Sequence, residues 1–344
     1  MEINTITQEE LETLLRYTEC SQHIIICTHK SPDGDALGAS LAWLEFLSNR
    51  GKTADIIIPD AYPDFLQWLP NSEKIIRYDK HKERAETLMC GADLIFCLDF
   101  NAFGRVDEME QTLRDSPAKK IMIDHHMDPV MDTVLTVSRP EMSSTCELVF
   151  RIMHQSGDFG KMTPKCAACI YCGMMTDTGG FTYNSNNPEI YFIISELLTK
   201  GINKDKIYRN VFNNYSSWAI RLRGYIMCQK LNVLNGYNAS YFSISRQTMM
   251  DFHFIKGDAE GLVNEPLKIK GMKLSVSLRE DDRRDNLVWL SLRSVDNFPC
   301  NEMAAEFFNG GGHLNASGGR LECSLEEAEE TVRKAIMHYA DRLR

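Results

Sequence analysis

Apolar residues over the first two hundred positions fall into two alternating patterns. Short continuous runs at His23–Cys27, Asp55–Ile58, Leu94–Leu98 and Lys120–Ile123 read as buried strands. Stretches with apolar positions three and four apart predict helices. They are Leu37–Ser48, closed by Gly51, then Ser144–Gln155, opened by the capping-box text Ser144-Thr145-Cys146-Glu147, and Pro164–Met175. Such alternation predicts βαβ units and a mainly parallel, doubly wound α/β sheet. From Pro188 to Leu234 the pattern stays helical, with Arg209, Arg221 and Arg223 set among the apolar residues of Ile207–Leu234. Beyond Asn235-Gly236 come short strands, Tyr241–Ile244, Leu274–Leu278 and Val288–Leu292, and a closing helix, Leu325–Tyr339. The expected fold class is therefore α/β with two domains: residues 1–200, a helical linker over 201–235, and a smaller α/β domain over 236–344.

Acidic residues and histidines recur where the apolar runs stop. His29-x-x-x-Asp33-x-Asp35 follows the first strand, Asp99 the third and Asp124-His125-His126 the fourth, while Asp177 ends the helix from Pro164 just before Gly179-Gly180. Taken singly, Asp33 and Asp35 after Pro32 read as turn and cap residues, and a lone histidine as a hydrogen-bonded one. Jointly they converge, because C-terminal strand ends are where open α/β sheets bind ligands. Clustered carboxylates about 4 Å apart repel by roughly 4 kcal/mol per pair at an effective dielectric of about 20, so such a cluster calls for cations. A set of this kind suits two divalent metals and hydrolysis of a phosphoester.

The Asp124-His125-His126 triplet resembles the signature of the DHH phosphoesterase superfamily. The resemblance extends to Ser291-Leu292-Arg293-Ser294 and to Asn309-Gly310-Gly311-Gly312-His313, which are similar to motifs of that family's C-terminal nucleotide-binding (GGGH) domain. Asn309 stands where the pattern usually has a glycine, and Ala316-Ser317-Gly318 where it usually has Ala-Ala-Gly. The chain is most similar to the short nano-RNases, some of which also remove the 3′-phosphate of adenosine 3′,5′-bisphosphate. The resemblance implies a metal-binding catalytic domain and a smaller substrate-binding domain. It places His29, Asp33 and Asp99 on one ion and Asp35, Asp99, His125 and Asp177 on the other, Asp99 bridging. Asp124 then orients an imidazole and His126 serves the substrate as a catalytic group. Four carboxylates with two imidazoles favour Mn²⁺ over an all-oxygen magnesium cage.

For the substrate side, Arg293 and His313 pair an arginine fork with an imidazole, and Gly311 and Gly312, in a glycine-rich loop, offer bare amides to a phosphate. Arg279 is a second arginine on a neighbouring strand. Arg105 is either a further anion ligand or a solvated loop residue.

Composition narrows the partner. A formal charge of −10 over 344 residues argues against a long nucleic-acid track, which needs a strongly basic face. Short oligoribonucleotides or small nucleotides remain as substrates, and a homodimer stays open. Cyclic or linear di-adenylate is the alternative substrate, and a non-catalytic nucleotide sensor the alternative outside enzymes. The N-terminal residues carry no basic-then-apolar leader and no apolar run is long enough to span a bilayer, so a cytoplasmic protein is expected. Eleven scattered cysteines read as reduced, mostly buried thiols. Cys166-x-x-Cys169-x-x-Cys172 lacks the fourth thiolate of an iron–sulfur run and reads as core.

Overall fold

The computed structural model describes residues 3–344, which divide into two compact units, one running to Asn214 and the other from Tyr215 to Arg344. The stretch expected as a linker is thus shared between them. Among the described residues no helix is long and apolar enough to cross a membrane.

In the first unit six parallel strands, β1 (Ile24–Cys27), β2 (Ala54–Ile58), β3 (Ile76–Arg77), β4 (Leu94–Leu98), β5 (Lys119–Asp124) and β6 (Leu135–Ser138), stand in the order β3-β2-β1-β4-β5-β6. Among the described residues eight α-helices accompany them: α1 (Gln8–Cys20), α2 (Gly34–Asn49), α3 (Lys82–Cys90), α4 (Glu110–Asp115), α5 (Thr145–Gln155), α6 (Pro164–Asp177), α7 (Pro188–Thr199) and α8 (Lys204–Phe212). Alternate strand residues feed two separate cores. Ile24, Ile26, Phe96 and Ile123 pack with α1, α2, α5, α6, α7 and α8, whereas Ile25, Cys27, Cys97 and Met122 pack with α3 and α4. Burial on both faces explains why these strands read as unbroken apolar runs. The order reverses between β1 and β4, the switch point at which doubly wound sheets open a crevice. Cys27 pairs with Cys97 across that junction, so the chain leaves both strands at one level, toward His29 and toward Asp99.

Two details differ from the expected elements and a third agrees with them. Ser144 caps α5 by accepting from the Glu147 amide, but the Glu147 carboxylate does not return the bond. It instead takes the Ser143 amide and hydroxyl at 2.8 and 2.6 Å and pairs with Arg151 at 2.7 Å. Strands β3 and β6 were not expected, because two to four residues are too short for a period to show. The thiols of Cys166, Cys169 and Cys172 are buried on α6 and free.

The second unit carries β7 (Asn232–Leu234), β8 (Ala239–Ile244), β9 (Leu274–Glu280), β10 (Val288–Ser294), β11 (Gly311–His313) and β12 (Ala316–Leu321) in the order β11-β12-β10-β9-β8-β7. All pairs are antiparallel except β8 with β9. Helices α9 (Ser217–Tyr225) and α10 (Arg246–Asp251) precede α11 (Cys300–Phe307) and α12 (Leu325–His338). Leu274, Val276, Leu278, Leu290 and Leu292 pack on α11 and α12, leaving the alternate residues on the opposite face.

Three strands were expected here and six are present. The glycine segment expected as a loop contributes the edge strand β11. Glycine fits there because β11 lies tight on β12: a Cβ on Gly312, whose φ is 142°, would sit 2.6 Å from the Ala316 carbonyl oxygen.

Candidate active site

Four chain segments bring carboxylates and imidazoles together in the first unit. Asp33 is the N-cap of α2, and its Oδ1 accepts from the Asp35 and Ala36 amides, both at 3.0 Å. Its Oδ2 stands 4.0 Å from His29 Nε2. Asp35, in the first turn of α2, is held by the start of α5: its oxygens accept from the Thr145 amide at 2.6 Å and the Cys146 amide at 2.8 Å. Asp99 leaves β4 in the left-handed region, φ 66°, with its amide donating to the Ile123 carbonyl at 3.1 Å. Few non-glycine residues adopt that conformation outside turns and functional sites.

Asp99 faces two ways. Its Oδ2 lies 3.4 Å from His29 Nε2, while its Oδ1 lies 3.6 Å from His125 Nε2 and accepts from the Thr145 hydroxyl at 2.9 Å. His125 Nε2 also stands 3.4 Å from Asp177 and 3.8 Å from Asp35. In each ring the other nitrogen is engaged: His29 Nδ1 is 2.8 Å from the Lys30 carbonyl and His125 Nδ1 3.3 Å from the Met142 carbonyl. A carbonyl only accepts, so Nδ1 carries a proton in each ring and Nε2 is the nitrogen that faces the carboxylates. Among the described residues of this unit three groups of donor atoms gather within 4.8 Å: His29 with Asp33 and Asp99, Asp35 with His125 and Asp177, and Asp99 with Asp124 and His126.

The field is strongly negative. Burial first, then the neighbouring Asp35 and Asp33, hold the Asp99 carboxyl well above the usual range. Burial opposes protonation of His125, yet Asp177, Asp99 and Asp35 overcome it and push the imidazole up to about 9. A pocket that draws a proton this strongly draws a cation by the same field, and its oxygen and nitrogen lone pairs fit divalent metals.

Asp124, completely buried, lies 2.7 Å from His126 Nδ1 through one oxygen, and its other oxygen has no partner. Burial, followed by His125 and Arg105, keeps the His126 imidazole below its usual value despite Asp124. His126 meets Asp124 through Nδ1, so Nε2 is the nitrogen turned away from that carboxylate. Arg105 is exposed on the 3₁₀ segment Phe103–Met109, kinked at Asp107; the Arg105 carbonyl accepts from the Lys30 amide at 2.8 Å and Asp107 pairs with Lys30.

Two kinds of residue escaped the sequence reading. Thr145 and Cys146 were legible as the start of a helix, but not what that start points at. Gly173 on α6 allows α2 to approach closely: a Cβ there would lie 2.9 Å from Asp35 Oδ1 and 3.0 Å from its Cα. Its only signal was a small residue next to the Cys-x-x-Cys-x-x-Cys run.

In the second unit, Arg293 pairs across the sheet with Ala316, and Ala316 with His313, so the arginine and the imidazole share one row of one face. Gly311 and Gly312 are exposed on the same edge strand. Arg279 pairs with Trp289, four residues up β10, which sets it about 13 Å along the same face. The structure thus groups Arg293 with His313 and sets Arg279 apart, its guanidinium 5.5 Å over the Phe254 ring and its pKa lowered by burial. Arg293 donates to the Leu292 carbonyl at 2.9 Å, and its buried Nε has no partner.

A parallel sheet in this strand order, with carboxylates and imidazoles gathered at its switch point, forms a ligand-binding crevice whose donor atoms suit the hydrolysis of phosphoesters. Residues 23–174 match the model of the DHH family, N-terminal domain, and residues 242–340 that of the DHHA1 domain. The chain belongs to the DHH family and is an enzyme, a phosphoesterase. It is 28% identical over 332 residues to the "bifunctional oligoribonuclease and PAP phosphatase NrnA" of Thermus thermophilus, covering 91% of this chain and 89% of that protein. It is 24% identical to the "cyclic-di-AMP phosphodiesterase GdpP" of Geobacillus thermodenitrificans, with 93% of this chain but 48% of that protein covered. Among solved structures, an exopolyphosphatase-related protein from Bacteroides fragilis superimposes with a TM-score of 0.92 at 50% identity, over 98% of each chain.

Proposed function

We propose that this enzyme hydrolyses short oligoribonucleotides to mononucleotides, and also the 3′-phosphate of adenosine 3′,5′-bisphosphate, using two divalent cations, with Mn²⁺ the best match to the donor set. The observation that carries the reading is the two-way disposition of Asp99, one oxygen toward His29 and the other toward His125. His29, Asp33 and Asp99 would hold one ion, and Asp35, Asp99, His125 and Asp177 the other. Bound there, such ions supply Lewis acidity toward a phosphoryl oxygen and an attacking water. The remaining work falls to side chains. Asp124 fixes the His126 ring so that Nε2 can take a proton and return it to the leaving oxygen. In the DHHA1 unit Arg293 would clamp a phosphate and His313 hydrogen-bond the nucleotide, beside the amides of Gly311 and Gly312. Arg105 would add positive charge near His126.

The preference for short substrates rests on charge. Each phosphate of a long strand needs a nearby Lys or Arg, and the chain carries net −10. Likeness to the NrnA protein supports the oligoribonuclease reading, and likeness to GdpP supports di-adenylate as the rival substrate. One experiment separates them: turnover with Mn²⁺ on RNAs from a dimer to a 24-mer, on adenosine 3′,5′-bisphosphate and on cyclic di-adenylate. The expected result is a kcat/KM that falls steeply with RNA length and exceeds that on cyclic di-adenylate. A 24-mer digested as fast as a dimer refutes the reading.

A further inference from the structure

The bonds that α5 makes to the acidic cluster all fall on one side of it. Thr145 and Cys146, the first two residues of the helix, give their amides to Asp35, and the Thr145 hydroxyl goes to Asp99 Oδ1, the oxygen on the His125 side. The His29 side is oriented by other means: Asp33 by the amides of α2, and His29 by the Lys30 carbonyl. Thr145 is completely buried, so its hydroxyl has no water to turn to. Its position is fixed in turn by the buried Glu147–Arg151 pair, through the Ser143 amide and hydroxyl, and by Arg151 donating to the Ile3 carbonyl.

A carboxylate that serves two ions must present one oxygen to each. Free rotation about its last bond would let both oxygens turn to one side. From the one-sided pattern we infer that Thr145 is a positioning residue for the His125-side cation: its hydroxyl locks the plane of Asp99 and thereby keeps two separate ion positions. This inference rests on the two-cation reading above. A hydroxyl donor also withdraws some charge from Oδ1, which opposes metal binding, but loss of such an orienting partner typically lowers metal affinity by roughly 10–100-fold.

The test uses the full chain stripped of metal, with Thr145→Val, which keeps the shape, and Thr145→Ser, which keeps the hydroxyl. Calorimetric titration with Mn²⁺ should find two sites in the wild type. In T145V one site should weaken by roughly 10–100-fold and the other stay within a few-fold, while T145S retains both. Paramagnetic resonance should show a coupled Mn²⁺ pair in the wild type and T145S, and a single-ion spectrum in T145V at limiting metal. If T145V fails to fold, Thr145→Ala carries the same expectation. Two unchanged sites in a variant lacking the hydroxyl overturn the inference alone, as does equal weakening of both sites. A wild type that takes up no Mn²⁺ overturns the two-cation reading and this inference with it.

Discussion

The carboxylates of the first unit and the arginines of the second are held in opposite ways. Asp33 accepts two amides, Asp35 two more and Asp99 a hydroxyl, and Asp35 and Asp99 are almost inaccessible to water. Arg293 has one bond to the preceding carbonyl, and Arg279 leans on a phenylalanine ring. Small cations demand fixed distances from several donors at once, which only a dry, interlocked cluster gives. A nucleotide presents a large and variable surface, for which a long guanidinium beside an open glycine strand is enough. The cost differs as well. Like charges packed together destabilise the empty first site, whereas the second site stores no such repulsion.

The largest effect should come from Asp99. Asp99→Asn should abolish turnover and leave no more than one bound Mn²⁺ per chain. Because it removes a buried charge from a like-charged cluster, the metal-free variant should melt higher than the metal-free wild type, by roughly 2–4 °C for each kcal/mol of repulsion relieved. Near-normal turnover would break the comparison at its centre. Gly173→Ala ranks next. Its methyl group would press on Asp35 and Cys146, costing about 1–3 kcal/mol and weakening Mn²⁺ binding together with stability. A variant that loses stability yet binds Mn²⁺ like the wild type would show that the cluster tolerates more play than its bonds suggest.

How far these features were legible follows from what each rests on. The parallel sheet announced itself because β1, β4 and β5 are buried on both faces and read as unbroken apolar runs. The cluster was legible because His29, Asp33, Asp35, Asp99, Asp124 and His125 stand directly after those runs, where topology alone brings them together. The grip of α5 on Asp35 and Asp99 was not, since it joins residues more than a hundred positions apart in one case through main-chain amides, which carry no sequence label. Nor was Gly173, whose role lies in a helix contact. In the second unit the glycine run pointed to an open loop, and the structure puts Gly311 and Gly312 on an edge strand. Period-two reasoning has no purchase on a segment without side chains.

On the other side of the comparison, Arg293→Ala should remove a charge-assisted bond worth about 1.5–3 kcal/mol, lowering kcat/KM on nucleotides by roughly 10–100-fold. Hydrolysis of bis-p-nitrophenyl phosphate, which has no nucleotide to clamp, should change within a few-fold, and Mn²⁺ binding should not change. Equal losses on both substrates would mean that the second unit does not act through the nucleotide. Arg279→Ala, about 13 Å along the sheet from Arg293, should cost less on dinucleotides, and the difference between the two variants measures how far along that face a substrate reaches.

The smallest effect on stability sharpens the comparison most. A Cβ on Gly311 would meet nothing within 4 Å, and its φ is not in the left-handed region, so Gly311→Ala should shift stability by no more than about 0.5 kcal/mol. Gly173 and Gly311 therefore separate two uses of glycine: the first admits another helix of the same protein, and the second faces solvent. If the open strand exists to let a phosphate come close to main-chain amides, the added methyl of Gly311→Ala should raise KM on nucleotides while leaving the melting temperature, Mn²⁺ uptake and turnover of bis-p-nitrophenyl phosphate as they were. An unchanged KM would assign the glycines to the packing against β12, where Gly310 and Gly312 are required, and would leave Arg293 and His313 as the binding groups of that face.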